Sequence, residues 1–230
     1  MISMILLGFL LGLRHSLEAD HVATVATLAT SQATRRQMIA QGLAWGIGHS
    51  LTLLVVGVGV MWAGSHIPEN IATWLERGVG LMMILLALDL LRRLYMRPVH
   101  IHTHQHGDSG EHMHLHSHSH DEFSAHASSE HQHGHPQLSP VRATIVGMIH
   151  GLAGSAAVIV LFVDQINSFW QGVAYLLCFG AGSIVGMALF SVALSVPLRL
   201  TAQHLTKVHN ALQVVIAMIS AGIGAMLLTA

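Results

Sequence analysis

Arg14-His15-Ser16-Leu17-Glu18-Ala19-Asp20-His21 lies between two apolar stretches, Met1 to Leu13 and Val22 to Ala29. An acid or an arginine centred in a bilayer costs about 2.5–3.5 kcal/mol on an insertion scale, against a gain of about 0.3–0.6 kcal/mol for a leucine. Arg14, Glu18 and Asp20 together therefore offset the insertion of about a dozen leucines or more. A spanning segment that carries such a cluster must turn it toward a wet cavity, a partner or an ion.

The surrounding chain is built for lipid. Of its 230 residues 52% are hydrophobic and 9% charged, where a soluble domain carries about 25% charged residues; the mean hydropathy is +0.58. Several windows reach the roughly 18–20 apolar residues a spanning helix needs. The reading is an all-α polytopic membrane protein with six spans, at about 3–30, 38–63, 71–95, 141–163, 171–196 and 208–229. Short polar breaks separate them, and Pro68 and Pro197 are expected at helix boundaries. The first apolar run has no basic n-region and no small-residue cleavage site, so it reads as the first span. The single Cys178 rules out a disulfide framework or a cysteine metal site within the chain.

Basic residues orient the spans. Arg35, Arg36, Arg92, Arg93, Arg97, Arg142, Arg199 and Lys207 all fall on one side, with Arg77 opposite. The positive-inside rule makes the majority side cytoplasmic and puts both termini outside, in the cell (plasma or inner) membrane. Residues 1–97 then hold the first three spans and 141–230 the last three. Between them, 98–140 carries thirteen of the twenty histidines among Ser, Gly, Asp and Glu. Such a segment buries too little apolar surface to offset its ordering entropy, and it is expected to be a disordered cytoplasmic loop in the absence of metal.

The halves echo each other. Gly12-Leu13-Arg14-His15 is similar to Gly147-Met148-Ile149-His150, and Gly46-Ile47-Gly48-His49-Ser50 to Gly180-Ala181-Gly182-Ser183. Repeats of three spans each must lie inverted in the bilayer, a common plan for carriers with a midplane site.

Imidazole nitrogen and carboxylate oxygen suit borderline divalent metals. At about 100° per residue, His15, Glu18 and His21 share one broad face while Asp20 points about 140° from His15. Either the turn is unwound, so that Asp20 joins the histidines, or Glu18 takes its place. Arg14 has no acceptor and reads as a counter-charge. His49, between Gly48 and Ser50, and His150, followed by Gly151, are further intramembrane candidates. His66, His204 and His209 are expected to be ordinary surface groups, and Asp89 to pair with Arg92 or Arg93 at a helix end.

The stretch from Arg14 to His21 resembles the His-x4-Asp-His signature of the nickel/cobalt transporter family. Gly48-His49-Ser50 is similar to that family's motif on the following helix. His150-Gly151-Leu152-Ala153-Gly154-Ser155 resembles its six-helix, urease-accessory-type nickel permease branch. The resemblance implies a nickel or cobalt permease acting in uptake, with His15, Asp20, His21, Glu18, His49 and His150 as the metal-handling set and Ni2+ or Co2+ as cargo rather than bound cofactor. A cytoplasmic metallochaperone is the partner expected to receive the ion. The histidine-rich loop gives the alternative, a nickel/cobalt or zinc efflux carrier with a metal-sensing loop. No phosphate loop is present, so ion gradients or the membrane potential must drive transport. A metalloenzyme is disfavoured by the lack of a His-Glu-x-x-His pattern, and near-neutral charge gives no sign of nucleic acid binding.

Overall fold

The computed structural model describes residues 2–32, 34–64, 68–96, 100–106, 109–116, 140–163 and 168–229. The helices are α1 (Ile2–His15), α2 (Ala19–Ala29), α3 (Arg35–Ala63), α4 (Glu69–Met96), α5 (Pro140–Val163), α6 (Phe169–His204) and α7 (Thr206–Thr229). Among the described residues α3, α4, α6 and α7 are long and apolar enough to cross a membrane. Their outward faces are studded with exposed Leu, Val, Ile and Met, such as Leu51, Val55, Leu85, Leu189 and Met218. Solvent water would penalise such a surface and lipid does not. The protein is an integral membrane protein. Exposed Trp62, Trp74 and Trp170 sit near the C-terminal end of α3 and the N-terminal ends of α4 and α6, as interfacial anchors do.

The single first span expected over 3–30 is two helices. α1 ends at His15, its last turn tightened by bonds from Leu17 N to Arg14 O (3.0 Å) and from Glu18 N to His15 O (3.0 Å). Ser16 Oγ donates to Leu13 O at 2.7 Å. Glu18 then takes extended backbone angles (φ −63, ψ 147) as the N-cap of α2. Local side-chain-to-backbone bonds compete here with helix continuation. α1, at 14 residues, is only about 21 Å long, less than the roughly 30 Å hydrocarbon core. α2 continues the path inside the bundle, where eight of its eleven residues are buried.

Small residues let the backbones close up. A methyl group added at Gly12 would strike the backbone of Phe179 and Ser183, and one at Gly147 the backbone of Trp45 and His49. Gly48 abuts Thr144 and Met148, while Gly182 abuts Phe9 and Leu13. Gly46 meets Ile184 and Gly180 meets Ser50; Gly80 and Gly224 meet each other. The Gly12 and Gly182 contacts between α1 and α6 thus correspond to the Gly147 and Gly48 contacts between α5 and α3. The order of contacts sets direction: Gly8 on Tyr175, Gly12 on Phe179 and Gly186 on Ser16 make α1 parallel to α6. Gly147 on Trp45 and Gly151 on Thr52 make α5 parallel to α3, whereas Gly57 on Leu176 and Gly42 on Ser191 make α3 antiparallel to α6.

Two further expectations change, at Pro197 and His209, while those for Pro68 and for the Asp89 ion pair hold. Pro197 does not end a helix; it lies inside α6, which runs on to His204. Pro68 does stand at a boundary, its carbonyl accepting from Ile71 N and Ala72 N at the start of α4. Asp89 pairs with Arg93 (3.4 Å) and with Arg142 of α5 (3.1 Å), tying α4 to α5 across the histidine-rich segment, while Arg92 donates to Met96 Sδ. His209 is not a plain surface group: Nδ1 lies 3.1 Å from Thr201 Oγ1, and Nε2 lies 2.7 Å from Gln213 Nε2. His66 lies outside the described residues.

The histidine-rich segment, expected to lack regular structure, contains an antiparallel hairpin of β1 (His100–His106) and β2 (Ser109–His116), with His102 opposite His114 and His104 opposite His112. Alternation of His with Ile, Thr, Met and Leu gives it a strand-like period. Residues 117–139 lie outside the described residues.

Candidate metal centre

The break between α1 and α2 brings together side chains that a continuous helix would hold apart. His15, from the last turn of α1, and His21, from the first turn of α2, have ring centroids 4.3 Å apart. His49, at the middle of α3, puts Nε2 3.3 Å from His15 Nε2, and its ring centroid is 4.9 Å from that of His21. One ring nitrogen from each of these three histidines can be chosen so that all lie within 4.8 Å. All three rings are buried. A metal–imidazole bond is about 2.0–2.1 Å, so two nitrogens on one ion sit about 2.9–3.4 Å apart between right-angle and tetrahedral geometry. The His15–His49 separation falls in that interval.

Asp20 stands behind His21. Oδ1 is 2.9 Å from His21 Nδ1 and Oδ2 is 2.8 Å from His150 Nε2. A carboxylate oxygen accepts, so Nδ1 of His21 carries the proton and Nε2 of the neutral ring is left as a lone pair. Among the described residues His21 Nε2 has no hydrogen-bond partner, and neither do His49 Nδ1, His150 Nδ1 and Trp45 Nε1. A buried polar atom without a partner is costly, and the open ring nitrogens of His21, His49 and His150 are lone pairs that a metal ion could take up. Asp20, His21 and His150 form a second possible three-ligand group.

Glu18 lies at the rim. Oε2 is 3.0 Å from His15 Nδ1, and its side chain is 56% exposed against 8% for His15. Among the described residues no ion pair joins it to Arg14, which is exposed. The six predicted site residues thus converge in one cluster, with Glu18 at its outer edge. The turn between the two histidines is unwound, which lets Asp20 lie beside His21, while Glu18 contacts His15.

Trp45 is the residue that sequence reasoning missed. Its ring is fully buried and stacks on His49 (5.0 Å between centroids, 10° between planes), with edge contacts to His21 (5.4 Å) and His150 (5.3 Å). The available signal was its place one helical turn before His49. It closes one side of the cluster with apolar surface, which keeps water away from the imidazoles.

The profile of high-affinity nickel-transport proteins (NicO) matches residues 1–229 of the chain. The urease accessory protein UreH of Bacillus sp. (strain TB-90) is 30% identical over 211 residues, covering 92% of this chain and 84% of that protein. No solved structure matches.

Proposed function

This chain belongs to the family of high-affinity nickel-transport proteins, and from that membership and the buried histidine cluster we propose that it carries nickel inward across the cell membrane through a midplane site. It is a transporter, not an enzyme. The observation that carries the site is the His15–His21–His49 triad with an unpartnered His21 Nε2. These three imidazoles bind the dehydrated ion; Asp20 fixes the tautomer and aim of His21, as outer carboxylates do for metal-ligating histidines. Glu18 captures the ion at the rim. The C-terminal end of α1 adds the negative pole of a half-helix, the feature that broken transporter helices turn toward cations.

The reading includes six crossings, α1 with α2 making the first, arranged as two inverted repeats. The reciprocal glycine contacts and the helix directions support it: α1 and α5 run opposite ways and make equivalent contacts with α6 and α3. Both termini lie outside and the histidine-rich segment lies in the cytoplasm, where it collects incoming metal and passes it to a metallochaperone. Cobalt, with similar ligand preferences, is a second substrate. Fluxes of radioactive nickel, cobalt and zinc into sealed proteoliposomes of defined orientation test metal and direction together. Nickel accumulation driven from the outer face is expected; transport confined to the reverse direction would make the protein an exporter.

A further inference from the structure

His15 and His150 occupy matching places in the two halves, one residue before Ser16 and Gly151, which face Gly186 and Thr52 respectively. His21 lies between them, its ring centroid 4.3 Å from that of His15 and 4.5 Å from that of His150. His49, by contrast, has Ser183 as its counterpart, a buried residue whose hydroxyl has no partner among the described residues.

We infer that nickel occupies two overlapping positions in turn, His15–His21–His49 and Asp20–His21–His150, and that His21 is the ligand shared by both. The inference rests on the nickel-carrier reading and adds a step to it. His21 has one nitrogen in each position. Nε2 is open to an ion beside His15 and His49, while Nδ1 faces Asp20, which also holds His150 Nε2 at 2.8 Å. In the first position the Asp20 carboxylate only accepts hydrogen bonds. In the second, each of the two imidazoles changes tautomer, its proton passing to the ring nitrogen without a partner (His21 Nε2, His150 Nδ1), and the ion binds the freed nitrogens and the Asp20 carboxylate. Because His21 is common to both sets and two divalent ions this close repel strongly, only one position fills at a time.

One imidazole serves both positions, but through opposite nitrogens. The ion gives up Nε2 of His21 on leaving the first position and meets Nδ1 in the second, so the ring must turn or the ion must pass around it, and His21 is the residue on which the hand-over depends. The two positions differ in character: three neutral imidazoles on one side, and two imidazoles with an anionic oxygen on the other. A difference of this kind gives the hand-over a direction, since the carboxylate position binds the dication more strongly once its two hydrogen bonds are released.

Trp45 supplies the probe, because it touches His49, His21 and His150 and the histidine-rich segment contains no tryptophan of its own. The full chain with Trp62→Phe, Trp74→Phe and Trp170→Phe is placed in nanodiscs and titrated with Ni2+, reading quenching of the remaining indole. The same variants in proteoliposomes are assayed for nickel flux. His49→Ala and His150→Gln should each keep saturable quenching, with half-saturation shifted by about tenfold, while flux falls by about a hundredfold or more. Their combination, and His21→Ala alone, should remove the quenching. Gln at 150 can still donate to Asp20, so retained saturable quenching also shows that the variant is folded. If His150→Gln removes quenching as fully as His21→Ala, the cluster is a single site and the two-position inference fails. Normal flux in His150→Gln also overturns it. Normal flux in His21→Ala would instead remove the nickel-carrier reading of this cluster.

Discussion

Asp20 and His150, 130 positions apart in the chain, meet at 2.8 Å, and through this contact α2 and α5 hold the histidine cluster from two sides. The same carboxylate grips His21 at 2.9 Å. Asp20→Asn retains the size of the side chain but replaces one acceptor oxygen with a donor, so one of the two imidazoles loses its partner and must turn. Nickel flux in this variant should fall by about 10–100-fold, as for outer-shell carboxylates, in protein that still inserts normally. Proteoliposome flux at matched protein density measures it, and an unchanged rate would show that Asp20 neither aims nor binds.

Metal uptake by an imidazole requires its neutral form, so protons compete with nickel. Apparent nickel affinity at the buried cluster should weaken as pH is lowered and recover when pH is restored. Trp45 quenching titrations at several pH values read this directly; affinity independent of pH would speak against histidine ligation.

The glycine contacts predict a sharp division among glycine substitutions. Gly12→Ala and Gly147→Ala press a methyl group on the backbone of the facing helix and should destabilise by about 1–3 kcal/mol, the usual cost of overpacking. Gly59 and Gly222 have nothing within 4 Å, so Ala there should be neutral or stabilising by up to about 1 kcal/mol. Thermal unfolding in detergent separates the pairs. Equal behaviour of all four would mean that α1–α6 and α3–α5 do not pack this closely.

Much of this architecture is legible in the sequence, and the exceptions have physical causes. Charged residues inside an apolar run point to the cluster, because the bilayer penalises them so heavily. The phase conflict between His15 and Asp20 shows that a regular helix cannot aim both, yet no Gly or Pro marks Ser16–Glu18 as the break. The interruption depends on Ser16 bonding back to Leu13 and on His15 meeting His49 from another helix, and the second contact is tertiary. Pro197 misleads for a related reason: membrane helices tolerate proline in their interior, and α6 runs through it to His204. Trp45 goes unnoticed because an indole in an apolar helix looks like packing until the histidines are seen around it.

The histidine-rich segment should modulate transport without forming the path. Deleting residues 100–135 should lower the number of metal ions bound per chain while leaving measurable flux, since the buried cluster is untouched. Metal analysis after equilibrium dialysis and flux assays test both parts. Complete loss of flux in correctly inserted protein would give the segment an obligatory role.

Topology is tested by single cysteines introduced in a Cys178→Ser background. An impermeant reagent added from outside should label Cys at position 69 and miss Cys at position 119. The reverse pattern would turn the protein over in the membrane, and the proposed direction of transport with it.

The central claim is that the buried imidazoles carry the ion, and nickel-63 flux through reconstituted His15→Ala and His21→Ala proteins tests it most directly. Leu17→Ala serves as the reference, because Leu17 lies between them in sequence yet points outward, 61% exposed. Both histidine variants should insert normally and lose flux to background, while Leu17→Ala keeps most of its rate. If His15→Ala and His21→Ala both transport nickel at near-normal rates, the cluster is structural and the account is contradicted.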